Sequence, residues 1–369
     1  MNMLQIEIAL IASIAAIACA LPGVFLVLRG MSLMSDAISH AILPGIALIF
    51  LAVHSLNSPL LLLGAAFSGL LTVVCTELLI TSQKLKKDAA IGLVFPLFFS
   101  VGVILISQYA RDVHLDTDMV LLGELAFASL NRMHLFGIDV GSYALWVMCG
   151  ISMLNLVCIG LFFKELQMSA FDVVYATVAA GNPIVYYYLL MTLTSITAVG
   201  AFDVVGAIVV VALMVTPATT AFLCTQILSS MLFLSVFFGV CAAISGYVIA
   251  AWADVSIAGM IAFMSGVQFV IALFFAPSKG LIAHWFRQRK NAGLLEPIIL
   301  CSYLNGLKNA PENSDQMAVS LGWSLPQINR AIRSAQKEGL VIKIHSELLL
   351  TQKGYKCARE STEKFCVFS

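Results

Sequence analysis

The chain has 369 residues, of which 60% are apolar and 11% are charged, and its mean hydropathy is +0.98. Because soluble globular proteins keep about a quarter of their residues charged, this composition excludes a soluble protein and indicates an integral membrane protein. The charges are unevenly distributed: residues 1–283 hold 8 Lys or Arg against 13 Asp or Glu, whereas residues 284–369 hold 12 against 7. An apolar, slightly acidic part is therefore followed by a polar, basic part.

Nine apolar runs are long enough, at about 20 residues, to cross a bilayer as helices. They cover residues 4–28, 38–54, 58–80, 89–110, 140–163, 184–200, 204–225, 228–251 and 255–276. The sixth run is short, so the alternative is eight spans, with 184–225 forming one crossing and a re-entrant segment. The first run follows no basic segment of the kind that begins a secretory signal, so we expect it to remain as a span.

The orientation of the spans follows from the basic residues in short loops, which stay on the cytoplasmic side. Lys84, Lys86 and Lys87 form one such cluster. Counting spans alternately from this cluster places Arg29 and Lys164 on the cytoplasmic side as well. We therefore predict an N-terminus outside and a cytoplasmic C-terminal region.

The composition changes after the last apolar run, where residues 287–290 read Arg-Gln-Arg-Lys. A basic run beside a membrane is typical of contact with anionic lipid. We divide the chain into a transmembrane domain over 1–280, a basic juxtamembrane linker over 281–292, a small cytoplasmic domain over 293–360 and a tail over 361–369.

The small domain has the pattern of three helices followed by a hairpin. The helices are predicted over 294–307, from a cap at 313–315 to about 321, and over 325–338 after a cap at Ser324; the strands are predicted over 340–344 and 348–351. This is the element order of a winged helix-turn-helix.

Asp36 and His40 are the most unusual residues of the transmembrane part. They are four positions apart at the start of the second run, so their side chains share one helical face. A carboxylate and an imidazole suit Mn(II), Zn(II) or Fe(II), and Pro44 with Gly45 is expected to break the helix beside a cavity. The alternative is a helix cap at Asp36 and a histidine bonded to a carbonyl. We favour the metal hypothesis because ionisable residues within a membrane are rare and usually functional.

Residues 164–183 form a polar segment between two spans. A short amphipathic helix capped by Ser169 and ended by Gly181, Asn182 and Pro183 is predicted there. Such a helix either docks a cytoplasmic partner or simply lies in the membrane interface. Small residues and a Thr-Pro break over 205–220 favour close helix packing.

Three further acidic or histidine residues, Asp203, Glu77 and His54, are weighed as extra ligands, with interfacial or capping roles as the alternative. The sequence contains no GxxxxGK[ST] run, so the chain does not bind ATP through a P-loop. It also contains no GxSxG or HExxH run typical of hydrolases. The residues thus indicate transport rather than enzymatic chemistry.

Four motifs together resemble the manganese/zinc/iron permease family of ABC transporters, the ABC-3 family. They lie at residues 29–41, 87–92, 121–124 and 215–218. The resemblance runs from about residue 4 to residue 276. It implies an all-α polytopic membrane protein with the type II ABC importer fold, located in the inner membrane of a bacterium. It further implies a permease subunit, without a cofactor of its own, that carries Mn(II), Zn(II) or Fe(II) as substrate.

The resemblance also implies partners and site residues. Asp36 and His40 match the metal ligands of the family's pathway. Residues 169–182 match its coupling helix, which contacts a cytoplasmic ATPase dimer; Ser169, Phe171, Asp172 and Gly181 are the implied contact residues. The further implied partners are a second permease subunit, of the same or a related chain, and an extracytoplasmic metal-binding lipoprotein.

The C-terminal domain resembles the winged helix of metal-dependent repressors of the diphtheria-toxin-repressor type, and the Tro/Ytg type of permease carries such an extension. Arg330, Arg333 and Lys337 are then candidate nucleic-acid contacts. Tethering to a bilayer restricts access to DNA, so we favour a protein-protein or regulatory role. Two alternative functions remain: a membrane-anchored metal-responsive transcription regulator, and a passive channel or secondary carrier.

Overall fold

The computed structural model describes residues 3–54, 60–82, 85–109, 125, 128, 132–135, 138–171, 173–179, 181–306, 317, 320–344 and 347–365. The chain forms two compact units, residues 1–280 and residues 281–369. The cap predicted at 313–315 lies outside the described residues.

The first unit consists of long helices with one hairpin and two short helices between them. Its elements are α1 (Met3–Leu28), α2 (Leu33–Val53), α3 (Leu60–Thr81), α4 (Lys87–Tyr109), β1 (Arg132–Leu135), β2 (Ile138–Ser142), α5 (Tyr143–Leu161), α6 (Phe163–Phe171), α7 (Val173–Ala179), α8 (Pro183–Val205), α9 (Ala207–Cys224), α10 (Leu228–Ala253) and α11 (Ile257–Phe275).

Nine helices in the described part of the chain are long and apolar enough to cross a membrane, namely α1 to α5 and α8 to α11. The prediction of nine spans rather than eight is confirmed. α8 and α9 are two separate helices joined only by Gly206, whose φ of 84° is a left-handed conformation that glycine adopts without strain. The segment 184–225 therefore holds two candidate spans.

Helix α1 is the most deeply buried span. It packs against α5, α8, α9 and α10, and small side chains such as Ala12, Ala15 and Ala16 are fully buried along it. At Gly23, an added methyl group would collide with the backbone of Met214 in α9. Since lipid provides no hydrophobic force between helices, close approach of small residues is the main source of packing energy.

The helix break predicted at Pro44 and Gly45 is wrong, because α2 continues through both residues to Val53. A proline costs a membrane helix little where neighbouring groups satisfy the freed backbone. Here Ser68 of α3 donates a hydrogen bond of 2.5 Å to the carbonyl of Ala41, next to the His40 carbonyl that the proline leaves without its helical donor. A Cβ at Gly102 of α4 would lie 2.8 Å from the nitrogen of Pro44. The proline thus marks a close contact of α2 with α3 and α4.

The break predicted at Thr216 and Pro217 is likewise wrong, since α9 runs unbroken from Ala207 to Cys224. The hydroxyls of Thr219 and Thr220 donate to the carbonyl of Thr216 at 2.9 and 2.7 Å. These bonds keep both hydroxyls within the helix, whereas the carbonyl that Pro217 leaves without its helical donor is that of Leu213. The inference that this region packs closely agrees with the burial of Pro217.

A buried asparagine joins three spans in the interior of the first unit. The amide of Asn155 in α5 donates to the carbonyl of Ala18 at 3.0 Å and to the hydroxyl of Thr197 at 2.7 Å. These partners lie in α1 and α8. Interhelical hydrogen bonds of this kind contribute about 0.6 kcal/mol each in membrane proteins.

The hairpin of β1 and β2 was not predicted from the sequence. It is fastened to the start of α1 through Glu7, whose carboxylate accepts a hydrogen bond of 2.9 Å from the backbone of Ser142 and lies 3.5 Å from the guanidinium of Arg132. We call this end of the spans the Glu7 end. The opposite end, where Leu28, Thr81, Lys87 and Pro183 line one cavity, is the Lys87 end.

The second unit contains α12 (Leu281–Gly306), α13 (Leu325–Lys337), β3 (Val341–Ile344), β4 (Glu347–Leu350) and α14 (Gln352–Phe365). β3 and β4 pair antiparallel, as the alternation predicted. Helix α13 buries Ile328, Ala331, Ile332 and Ala335 on one face, against Leu300 and Leu304 of α12. The winged-helix assignment of this unit stays a prediction.

Two predicted boundaries of the second unit differ from the structure. The stretch 281–292, expected as a linker, is the beginning of the continuous helix α12. The tail expected from 361 is helical to Phe365, because α14 follows directly after the hairpin. Polar and charged sequences form helices once one face has a core to cover, and Ala358 of α14 is fully buried in that core.

Replacing Gly45 by alanine tests the close packing of α2. A methyl group at this position would collide with the backbone oxygen of Gly64 in α3, so we expect a loss of about 1–3 kcal/mol from overpacking. The measurement is the midpoint of thermal unfolding in detergent. Gly92→Ala is the matched control, because its Cβ would meet no atom within 4 Å. Equal midpoints for the two variants would contradict the packing of α2 on α3.

Candidate metal site and partner surfaces

Asp36 and His40 lie together on α2, one turn apart. The Nε2 atom of His40 is 3.4 Å from Oδ1 of Asp36. The cap of this helix is Ser32, so Asp36 lies within the helix and the alternative of a capping carboxylate does not apply. The two side chains are 40% and 29% exposed, respectively, which leaves both accessible to an ion from one side.

Aromatic rings from α4 pack against the histidine. The imidazole ring centre lies 5.9 Å from that of Phe95 and 6.0 Å from that of Phe99, the latter edge to face. Two rings against one imidazole restrict its rotation and keep it beside the carboxylate. A preset orientation lowers the cost of binding an ion.

The other ligand candidates do not join this pair. Within the described residues no group of three His, Cys, Asp or Glu side chains is placed to hold a metal. His54 ends α2 with a left-handed backbone conformation, and Asp203 lies near the end of α8. Glu77 lines a cavity at the Lys87 end with Arg29 and Tyr187. The described part of one subunit thus offers an ion a pair of ligands, which favours weak and reversible binding.

The predicted coupling segment consists of α6 and α7. Ser169 is not a helix cap, because it lies within α6 and is only 3% exposed. Its hydroxyl accepts a hydrogen bond of 2.8 Å from Nη2 of Arg29 and donates to the carbonyl of Leu166 at 3.1 Å. Ser169 therefore faces the body of the protein. The cap in this region is Asn182, which accepts a bond of 3.0 Å from the backbone of Ile184 at the start of α8.

The remaining predicted contact residues lie differently. Phe171 is exposed at the end of α6, and Gly181 has a φ of 84° that glycine allows. Asp172 lies outside the described residues.

An exposed apolar surface on α7 was not predicted from the sequence. Val174, Tyr175 and Val178 are 78%, 60% and 87% exposed, and their spacing places them on one side of the helix. We call these three residues with Phe171 the α7 patch. The spacing of these apolar residues is visible in the sequence, but the same spacing is typical of a buried helix face. Only the exposure of the side chains in the structure distinguishes an exposed face from a buried one.

Arg29 is a second residue whose contacts the sequence did not reveal. It follows α1 directly, and besides its bond to Ser169 its guanidinium lies 5.1 Å from the centre of the Tyr187 ring in α8. Its carbonyl accepts a bond of 3.1 Å from Nζ of Lys87, the first residue of α4. Burial lowers the pKa of the guanidinium, with smaller opposing contributions from Tyr187 and Glu77.

The three basic candidates of the second unit lie on α13. Arg330, Arg333 and Lys337 are exposed, on the side opposite the buried face of the helix. Nη1 of Arg330 is 3.9 Å from Glu296 of α12. An exposed basic face can contact phosphate, but it is equally the solvated face of an ordinary helix.

Comparison with known proteins identifies relatives of the chain. The model of the ABC 3 transport family matches residues 2–276. The zinc transport system membrane protein TroD of Treponema pallidum is 42% identical over 368 residues, covering 96% of this chain and 98% of TroD. The manganese transport system membrane protein MntD of Bacillus subtilis is 42% identical over 282 residues, covering 75% of this chain and 95% of MntD.

A solved structure agrees with the described fold. A chain of PsaBC from Streptococcus pneumoniae, determined in complex with Fab, matches with a TM-score of 0.63 and 32% identity. The match covers 75% of this chain and 94% of that chain.

Proposed function

Because this chain belongs to the ABC 3 transport family, it is a membrane permease subunit of a metal-ion ABC importer and not an enzyme, and we propose that Asp36 and His40 form its transport site. We infer that it lies in the inner membrane of a bacterium, which its apolar helices and its bacterial relatives support. The observation that carries the proposal is the 3.4 Å approach of the imidazole to the carboxylate within a span. The ion is Mn(II), Zn(II) or Fe(II), since this ligand pair suits all three.

A second permease subunit completes the site. Two ligands are few for these ions, which take four or more, and the described residues of one chain hold no third. A second copy or a related chain that presents the same face supplies another carboxylate and imidazole. An ion held between two subunits is released when they move apart, as a pathway requires.

The Lys87 end faces the cytoplasm and the Glu7 end faces outwards. Lys87 begins α4 at the first of these ends, directly after Lys86 in the chain, and basic residues in short loops are retained on the cytoplasmic side during insertion. This orientation places the N-terminus outside and the second unit in the cytoplasm. It also directs the Glu7 end towards a metal-binding lipoprotein that delivers the ion.

The α7 patch is the contact surface for the cytoplasmic ATPase dimer. Large apolar side chains that are 60–87% exposed at the proposed cytoplasmic end are typical of an interface. The chain holds no P-loop of its own, so ATP hydrolysis belongs to this partner. Coupling to an ATPase also distinguishes this proposal from a passive channel or secondary carrier.

The alternative of a membrane-anchored transcription regulator has no support from the comparisons. MntD is matched over 95% of its length by only 75% of this chain. TroD, in contrast, is matched over nearly all of both chains. We propose that the second unit is a regulatory or protein-binding addition, with DNA as the less favoured partner.

Removing either ligand should abolish uptake. In cells that lack their own importer and express the complete transporter, we expect Asp36→Asn and His40→Ala to lower accumulated metal at least about tenfold, since even changes beside metal ligands cost that much affinity. Metal content is measured by mass spectrometry at equal membrane levels. His54→Ala controls for loss of a histidine from the same helix, at its opposite end, and should accumulate metal normally.

The same experiment identifies the substrate. The element that only the wild type and the His54 variant accumulate is the transported ion. Normal uptake by the Asp36 and His40 variants would overturn the assignment of the site while leaving the permease function in place.

A charge in the α7 patch should separate the permease from its ATPase. Val178→Asp places a carboxylate on the most exposed patch residue, and we expect co-purification of the ATPase to fall about tenfold or more, as for an interface residue of central position. Ile342→Asp, an equivalent change at a 52% exposed position of the second unit, should leave co-purification unchanged. Retention of the ATPase by the Val178 variant would place the interface elsewhere.

Ending the chain after Gly280 should leave transport in place. All proposed pathway and coupling residues precede this point, and the chain forms separate compact units on either side of it. We expect uptake within about twofold of the full chain, because mutually independent units contribute additively. Loss of uptake at equal membrane level would show that the second unit takes part in transport.

A further inference from the structure

Arg29 lies where the helices of the Lys87 end converge. Its guanidinium donates to Ser169 of α6 at 2.8 Å and lies 5.1 Å from the centre of the Tyr187 ring in α8. Its backbone carbonyl accepts a bond from Lys87 of α4, and Glu77 of α3 lines the same cavity. Arg29 thus contacts α6 and α8 through its side chain and α4 through its backbone carbonyl.

The backbone at Arg29 leads directly into the metal-bearing helix. α1 ends in a closed turn, in which the N–H of Gly30 donates to Val27 and that of Met31 donates to Leu26, at 3.0 and 2.9 Å. Gly30 has the φ of 65° that this type of helix end requires. α2 then begins at Leu33, and Asp36 lies seven positions after the arginine. A displacement of Arg29 therefore reaches the metal ligands through one short, fixed turn.

The guanidinium of Arg29 has few polar partners among the described residues. Among the described residues no carboxylate lies within 4.0 Å of the guanidinium, and its Nε atom is buried without a hydrogen-bond partner. The bond to Ser169 is the side-chain hydrogen bond that the structure gives the guanidinium. When Ser169 moves, the half-buried guanidinium is expected to move with it. Loss of this hydrogen bond would leave the charge with fewer polar contacts.

The surroundings leave room for such a movement. A cavity of about 450 Å³ adjoins the contact and is lined by Arg29, Ser169, Glu77, Lys87 and Tyr187 among others. A guanidinium enclosed by close-packed side chains could not change position without displacing them. Here it can follow Ser169 or shift towards Glu77.

We propose that Arg29 is the positioning residue that carries movement of α6 and α7 to α2 and its metal ligands, through the hydrogen bond with Ser169. The inference rests on the proposed function, since it takes α7 as the ATPase contact and Asp36 with His40 as the transport site. It goes beyond that function by naming the link between them. Arg29 touches neither the ion nor ATP.

The alternative is that Arg29 only holds the fold together. An anchor of this kind would change the amount or stability of the transporter, and with it ATP hydrolysis and transport in equal proportion. A link would change the number of metal ions moved per ATP hydrolysed. This ratio separates the two roles.

The experiment uses the complete transporter, with its ATPase and binding protein, reconstituted in liposomes. ATP hydrolysis and metal uptake are measured for the wild type, Arg29→Gln, Ser169→Ala and the double variant. Lys279→Gln is the matched control, because Lys279 is a cation that also packs on a ring, 3.4 Å from the centre of Phe222, without contacting α6 or α7. Arg29→Lys tests rescue by charge alone.

We expect Arg29→Gln to hydrolyse ATP but to move about tenfold fewer ions per ATP, as loss of a charge-assisted hydrogen bond predicts. Ser169→Ala should lower the ratio in the same direction, and the double variant should be no worse than Arg29→Gln, because both remove one contact. Arg29→Lys should recover part of the number of ions moved per ATP. Lys279→Gln should leave that number at its wild-type value.

An unchanged ratio in Arg29→Gln, whether its rates are normal or fall together, overturns the inference. If that variant fails to assemble, Ser169→Ala decides in the same way, since it removes the acceptor and keeps the guanidinium in place. Failure of the proposed function has a different signature: the wild type itself would then take up no metal with ATP.

Discussion

The whole first unit depends on how closely its helices can approach α1. In a bilayer, burial of apolar surface does not distinguish one helix pairing from another, so contact between backbones has to do so. Alanines along α1 and glycines at its crossings with other spans provide that contact. The hydrogen bonds of Asn155 and of the Glu7 carboxylate then fix the rotation of the helices about their axes and their relative position along those axes. Each of these groups reaches its partners only in one such arrangement. The position of α2, and thus of the proposed ligands Asp36 and His40, follows from this arrangement.

The sequence was a good guide wherever a property belonged to a single segment. Length and hydropathy were sufficient for the nine spans, and four-residue spacing was sufficient to place Asp36 beside His40. It was a poor guide where a neighbour decided the outcome. Pro44 did not break α2, because Ser68 and Gly102 come from other helices to accommodate it. Ser169 looked like a helix cap, but Arg29, 140 positions earlier, is its partner. The exposed side of α7 could not be distinguished from a buried one by spacing alone.

The ligand pair lies on α2, whereas the α7 patch lies on α7 and the end of α6. Between them stand polar groups with incomplete hydrogen bonding, notably the Nε atom of Arg29 and the hydroxyl of Tyr187. The Glu7 end is different, since its carboxylate has two partners and its hairpin is fastened. A transporter needs a region in which side chains can exchange their contacts at small free-energy cost. Polar groups with incomplete hydrogen bonding are typical of such a region. The location of this region beside the α7 patch agrees with the proposal that the ATPase contacts the protein there.

Helix α1 has a further consequence, because the contacts described at the two ends of the bundle lie at or next to its two ends. Glu7 holds the hairpin at one end, Arg29 adjoins the other, and 26 residues of continuous helix lie between Met3 and Leu28. Such a helix is about 39 Å long at 1.5 Å per residue, and Pro22, near its Lys87 end, is a position where a bend is expected. Where the helix moves as one body about its packed middle, its two ends are displaced in opposite directions. Movement of the whole helix would then link docking of the proposed delivery protein outside to the nucleotide state of the proposed ATPase inside. Such a link needs no chain of side-chain rearrangements across the membrane.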